Sequence, residues 1–223
     1  MFERVISFVG DDIFNKIREK TVLIVGVGGV GGYAMESLVR SGIQNIIIID
    51  YDVIDKSNLN RQIITNQNNV GMTKVSVAKE RILSINPDCN VIIHKTFLDE
   101  ETINILDNYQ IDYIVDACDS LKAKKLLIDY SLEKNIKLIA SMGTANKIDP
   151  QKLSIMDIRK TSYDPLAKKL RKYVMDKRTN KKVMVVCSDE SPIRRDILSS
   201  LVFVPASAGI LCANYIIKDI IMN

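Results

Sequence analysis

The stretch from Thr21 to Asp50 constrains this chain more than any other. Val22 to Val25 is a short run of β-branched and aliphatic residues that ends in glycine, as a buried parallel strand does. Gly26, Gly28 and Gly31 then fit the pattern G-x-G-x-x-G, with Gly29 beside them. Ala34, Met35, Leu38 and Val39 follow at helical spacing, and Gly42 stands where a helix C-terminal glycine belongs. A second apolar strand, Ile46 to Ile49, closes on Asp50, nineteen residues after Gly31. Each part has a physical task. The first glycine makes the tight turn, the second lets a phosphate approach the backbone, and the third lets the helix lie on the strand with its N-terminus toward an anion. Asp50 at the strand tip can accept from ribose hydroxyls. Glycines alone are a weak signal. After a strand, before a helix and with an acid at this distance, they point to an adenine nucleotide. They do not decide between a dinucleotide for redox chemistry and ATP for activation.

A chain of 223 residues with 47% hydrophobic content suits one α/β domain with an elaboration. The four cysteines, Cys89, Cys118, Cys187 and Cys212, form no C-x-x-C pair, so a four-cysteine zinc site has no support, and their scatter suits a reducing cytoplasm. Met1-Phe-Glu-Arg does not begin a signal peptide. The apolar run Val202 to Met222 is interrupted by Asn214, Lys218 and Asp219, so it reads as a core or interface helix beginning near Pro205, not as a membrane span. The net charge of +4 is unevenly spread. Arg159 to Arg195 holds twelve Lys or Arg against four acids, a net +8 that leaves −4 elsewhere. Such asymmetry points to a polyanionic partner.

Taken in order, residues 3 to 19 read as one amphipathic helix, with Val5, Phe8, Val9, Ile13 and Ile17 on one face. The polar run after Asp50 holds Asp52, Asn58, Arg61 and Gln62 at the carboxyl end of a strand, where open α/β sheets bind ligands. Lys74 falls in the first turn of the next helix. A lysine there opposes the helix dipole, and a bound phosphate is a good reason for one. Further strands are expected at Val91 to Ile93, at Tyr113 to Ser120 with Asp116 and Asp119 at its end, and at Leu138 to Ala140, with a helix from Lys122 to Lys134 between the last two. Strands alternating with helices to residue 145 predict a Rossmann-like, doubly wound, mostly parallel sheet. Residues 146–223 form an extension, with an antiparallel strand at Leu153 to Ile158, a helix capped by Asp164-Pro165, a strand at Val183 to Val186 and a polar loop at Ser188 to Ser200. In the capped helix Leu166, Leu170 and Val174 make the apolar stripe, and Lys168, Lys169, Arg171 and Lys172 lie off it. His94, the only histidine, reads as packing, and Asp116 as structural.

The ordered set Gly26 to Gly31, Asp50-Tyr-Asp52-Val, Ser57-Asn58-Leu-Asn60-Arg61-Gln62, Gly71-Met-Thr-Lys74 and Asp116-Ala-Cys-Asp119 resembles the ubiquitin-activating superfamily, which includes bacterial adenylyltransferases that activate sulfur-carrier proteins. Ser141 to Asn146, Asp149-Pro150, Asp157-Ile158, Lys160-Thr161, Asp164-Pro165-Leu166 and Phe203-Val204-Pro205-Ala206 are similar to one branch, the tRNA threonylcarbamoyladenosine dehydratases. The missing zinc cysteines agree with that branch.

The resemblance implies one ThiF-type adenylation domain over residues 1–223. Its reaction is ATP-dependent cyclisation of threonylcarbamoyladenosine in tRNA, through an acyl adenylate. It implies Arg61 and Lys74 at the phosphates, Gly26, Gly28, Gly29 and Gly31 around them, Asp50 on the ribose, Asp52 either in the nucleotide site or capping a turn, Asn58 and Gln62 orienting the loop, and Asp119 on magnesium. Arg4 would enter the partner's site of a homodimer, and a sulfur-transfer protein partner is compatible with the resemblance. A sulfur-carrier adenylyltransferase is the nearest alternative. A nicotinamide dehydrogenase would share the glycines and Asp50 but would have no use for Arg61 and Lys74. A non-catalytic nucleotide or tRNA binder would have no need of Asp119.

Overall fold

The computed structural model describes residues 1–193 and 195–223; Arg194, one of the basic residues counted above, lies outside the described residues. The chain opens with two helices, α1 (Glu3–Val9) and α2 (Asp11–Glu19), instead of the single expected one. Gly10 adopts φ +82° between them, a conformation open to glycine that no helix interior accepts. Because the helix breaks there, Phe8 leaves the expected apolar face and is 85% exposed, while Phe14 and Ile17 of α2 are buried.

Strand β1 (Thr21–Val25) leads through the glycine turn into α3 (Gly31–Arg40), then β2 (Asn45–Ile49), α4 (Lys74–Ile85) and β3 (Asn90–His94). The chain then crosses to β4 (Tyr113–Asp116), α5 (Leu121–Lys134) and β5 (Lys137–Ser141). It finishes with β6 (Leu153–Asp157), α6 (Pro165–Asp176), β7 (Met184–Ser188) and α7 (Phe203–Met222). The sheet order is β3-β2-β1-β4-β5-β7-β6, parallel except where β6 runs against β7. Strand order reverses between β1 and β4, and the carboxyl ends of those two strands form the crevice in which such sheets hold ligands. β1 and β2, Val-Leu-Ile-Val and Ile-Ile-Ile-Ile, are buried throughout those runs, as strands covered on both faces must be. β4 stops at Asp116 and not at Ser120, so Ala117 to Ser120 are loop and not strand.

α7 has the length and apolarity of a membrane-crossing helix, with a mean hydropathy of 1.3 across its best window. Its Ala208, Cys212, Ala213, Ile216 and Ile220 are nevertheless buried in the core that also holds Ala34, Met35 and Leu38 of α3. The crossing is tight at Gly209. A Cβ there would lie 2.2 Å from the Val30 carbonyl oxygen and 2.9 Å from the Ala34 amide nitrogen. Gly209→Ala must therefore push the two helices apart or distort the N-terminal turn of α3. It should lower stability by about 1–3 kcal/mol, as overpacked cores do, read as a shift of the urea midpoint at unchanged slope. An unshifted midpoint would show that the crossing relaxes freely.

Candidate active site

The glycine turn follows from steric limits at two positions. Gly26 has φ +85°, and a Cβ on it would meet the Ala117 carbonyl oxygen at 2.8 Å. A Cβ on Gly31 would lie 1.8 Å from the Gly26 carbonyl oxygen, so only glycine lets α3 start directly on the turn. The space over Gly28 is open, its nearest neighbour being the Gln62 amide nitrogen at 3.6 Å from a Cβ placed there. The turn thus presents backbone and the N-terminus of α3 toward one cleft, which Gly26, Gly28, Gly29, Asp50, Asp52, Asn58, Arg61, Gln62, Lys74 and Asp119 all line.

Asp50 is buried and holds the floor. Its Oδ2 accepts from the Val27 amide at 2.8 Å and its Oδ1 from the Asp52 amide at 2.9 Å. Burial pushes its carboxyl above the usual range, opposed by those two amides and by Lys74. Asp50 therefore ties the glycine turn to the next loop.

Lys74 opens α4 behind the Thr73 cap. Its ammonium is 2.6 Å from Asp52 Oδ2 and its amide donates to the Asp52 carbonyl at 3.0 Å. Ile54 and the Gly71–Met72 pair exchange two further backbone bonds of 2.8 Å, so these segments are zipped together beneath the cleft. Asp52 thus aims the lysine. In the loop between, Asn58 and Asp55 cap each other's backbone, which fixes the 3-10 turn Lys56–Asn58 that precedes Arg61. Arg61 donates from Nη1 to the Ser57 carbonyl at 2.8 Å and to Asn60 Oδ1 at 3.0 Å. Gln62 is buried, and its Oε1 has no hydrogen-bond partner among the described residues.

Asp119 stands exposed on the rim beyond β4, in no ion pair among the described residues. One carboxylate facing a phosphate site is the usual protein share of a magnesium site. No group of three or more His, Cys, Asp or Glu gathers around a metal position among the described residues. Arg4 is exposed on α1 beside Glu3, Ser7 and Phe8 and does not reach its own chain's cleft.

Two buried lysines escaped the sequence reading. Lys124, fully buried, donates to Asp116 Oδ1 at 2.9 Å and to the Ser141 carbonyl at 2.9 Å. Burial works against its charge, but Asp116 outweighs it and holds its pKa above the ordinary value. Lys147, also buried, donates to the Gly143 carbonyl at 2.8 Å and pairs with Asp164 Oδ2 at 3.2 Å. The dipole argument that singles out Lys74 applies equally to Lys124, which sits in the first turn of α5. His94 packs at the end of β3 and meets the Tyr109 hydroxyl at 2.9 Å, in keeping with a packing role. The Cys118 thiol, on the cleft wall, is pushed up by burial and by Asp116.

The basic segment divides. Lys168, Lys169 and Lys172 of α6 are exposed and unpaired among the described residues. Arg171, expected beside them, turns inward to the carbonyl and hydroxyl oxygens of Thr161. Lys177 pairs with Asp129, and Lys181 binds the Leu132 carbonyl and Asn135. The loop after β7, expected to be polar, exposes Ile197, Leu198 and Leu201.

Removing Lys124 leaves a fully buried carboxylate without its cation. Lys124→Met should cost about 3–5 kcal/mol, and Asp116→Asn added to it should recover part of that, because breaking one side of a buried pair costs more than removing both. Equal urea midpoints for wild type and Lys124→Met would refute a structural role for the pair.

The ThiF family profile matches residues 2–222. A Bacillus subtilis tRNA threonylcarbamoyladenosine dehydratase is 38% identical over 96% of this chain and 92% of its own length. An Escherichia coli protein of the same name is 35% identical over 92% of this chain and 75% of its own. The crystal structure of an E. coli tRNA N6-threonylcarbamoyladenosine dehydratase in complex with ATP superposes with a TM-score of 0.93 at 31% identity, covering 99% of this chain and 93% of that one.

Proposed function

Because the chain belongs to the ThiF family, we propose that it is an ATP-dependent tRNA threonylcarbamoyladenosine dehydratase. The observation that carries the reading is the cleft itself: two cations, Arg61 and Lys74, and a carboxylate, Asp119, unpaired among the described residues, gathered over a glycine turn at the sheet's switch point. Residues 1–145 supply the nucleotide half and residues 146–223 the substrate side.

The substrate's threonyl carboxylate attacks the α-phosphorus of ATP. An acyl adenylate forms and pyrophosphate leaves with the bonding electrons. A nucleophile within the same modified side chain then attacks the acyl carbon, AMP departs, one proton is lost, and the ring closes with net elimination of water. This chemistry needs positioning and charge neutralisation more than acid–base help. The glycine turn and the α3 N-terminus hold phosphate. Asp50 and Asp52 face the ribose, and Asp52 also aims Lys74. Arg61 and Lys74 offset the charge that builds on the phosphates. Asn58 and Gln62 keep the Arg61 loop in place. Asp119 would hold magnesium, which supplies charge neutralisation at the phosphate oxygens. Four free thiols suit work in the cytoplasm.

Pyrophosphate release from ATP and magnesium should require tRNA bearing threonylcarbamoyladenosine. Asp119→Ala should lower it by about 10²-fold, the order expected for losing one charge-stabilising group. Release with a sulfur-carrier protein and none with tRNA would favour the carrier adenylyltransferase instead, and would bring in a sulfur-transfer partner.

The exposed lysines of α6 supply a tRNA-facing surface, and the burial of Ala167, Leu170 and Val174 holds it rigid. Reversing Lys168, Lys169 and Lys172 to Glu should leave ATP binding intact and flatten the salt dependence of tRNA affinity by about one log–log unit per lysine. Identical slopes would make this face a solvated surface.

Arg4 serves the partner's cleft in a homodimer. Arg4→Ala and Arg61→Ala proteins, each lowered by about 10²-fold alone, should regain activity when subunits exchange. Exchanged heterodimers without activity would remove Arg4 from the chemistry.

A further inference from the structure

The loop between β7 and α7 makes the longest-range contact with the cleft. Ser200 lines the cleft together with Thr144 and Pro205. Asn146 clamps this loop from below. With φ +58° it donates its amide to the Ser199 carbonyl at 2.7 Å, accepts the Ser199 amide on Oδ1 at 2.8 Å, and accepts the Ile193 amide on its own carbonyl at 2.8 Å. From above, Asn60 Nδ2 donates to the Ser200 carbonyl at 2.9 Å, across 140 positions of sequence. The other end of that same carboxamide, Oδ1, accepts from Arg61 Nη1 at 3.0 Å.

The chemistry of the two neighbours leaves this carboxamide one orientation. A backbone carbonyl only accepts and a guanidinium only donates. The amide nitrogen must therefore face Ser200 and the amide oxygen Arg61. Asn60 and the Ser57 carbonyl hold Nη1, and the Nε–Nη2 edge of Arg61 has no protein partner among the described residues. That free edge is the fork that fits two phosphate oxygens.

We infer that Asn60 is a positioning residue that orients Arg61 by spanning from the Ser200 carbonyl to Arg61 Nη1. The inference rests on the phosphate role of Arg61 given above. Held by the Ser200 carbonyl, the carboxamide is fixed and the free edge of Arg61 is presented. The substrate side of the cleft is thereby linked to its phosphate side through one amide.

Tests use the full chain with ATP, magnesium and tRNA bearing threonylcarbamoyladenosine. Asn60→Ala should lower kcat about tenfold, within the range of couplings between directly bonded residues, while ATP affinity and the urea midpoint stay unchanged. Asn60→Asp keeps an acceptor for Arg61 but sets a carboxylate against the Ser200 carbonyl, so it should fall as Asn60→Ala does. In an Arg61→Ala background, Asn60→Ala should cost nothing more, because Asn60 acts through Arg61. Asn146→Ala should lower kcat in the same way and should add nothing to Asn60→Ala. Wild-type kcat in Asn60→Ala or Asn60→Asp would overturn the inference. The same tenfold loss with and without Arg61 would do so too, as would a loss that tracks ATP affinity or the urea midpoint. If the wild-type protein turns over with a carrier protein and not with tRNA, the tRNA reading fails, and the same cycle run with that carrier decides the role of Asn60.

Discussion

One ammonium group under the cleft sets both of its walls. Lys124 lies where β4 and β5 end, and it bonds to the Asp116 carboxylate of one strand and the Ser141 carbonyl of the other. A lysine and an aspartate without solvent contact are a poor source of stability, since desolvation consumes most of their attraction. What the pair supplies is geometry. Past Asp116 the chain turns at Ala117, whose carbonyl abuts Gly26, and goes on to Asp119 on the rim. Past Ser141 it runs to Gly143 and Thr144, where Lys147 repeats the device with the Gly143 carbonyl and Asp164. Asp164 also caps α6 through the Ala167 amide at 2.8 Å, so the basic helix is anchored to the same wall.

The parts of this molecule that could be read from sequence are those where one physical rule acts over a short span. The β1 turn and α3 were legible because only a few glycine spacings let a helix start on a strand tip. The placement of Lys74 was legible because it violates the dipole preference, although its partner Asp52 was not. The break at Gly10 was missed because the apolar periodicity runs straight through it. Lys124 was missed because Lys122, Lys124 and Lys125 look alike in sequence, and only the fold decides which one enters the core. Arg171 shows the reverse case. Its position on the helix is on the basic side, but a nearby carbonyl at Thr161 draws it in.

The same distinction governs the charge of the C-terminal third. Its excess of positive charge is not all available to a partner. Arg159 is held by Asp157 and by the Thr179 and Lys181 carbonyls, and Lys177 and Lys181 bridge to α5 and the turn after it. Lys177 and Lys181 thereby bind the extension to the nucleotide half, while Arg159 braces the extension itself. The lysines of α6 that remain unpaired form a smaller and more localised surface than composition implies, on an element whose position the Lys147–Asp164 pair fixes.

The crossing of α7 over α3 has a consequence for how the molecule is made. α3 carries the N-terminus that faces the cleft, yet the helix that covers it at Gly209 follows every strand of the sheet in sequence. During synthesis the glycine turn and first strands emerge early, with one flank of α3 apolar and uncovered. That flank is closed when α7 arrives, and Asp219 near its end then accepts from the Tyr113 hydroxyl and the Lys137 ammonium, both at 2.6 Å. Contacts so distant in sequence form late and slowly. The nascent nucleotide site is therefore left waiting until α7 has been made, and a chain interrupted before it would carry the glycine turn on an incompletely packed core.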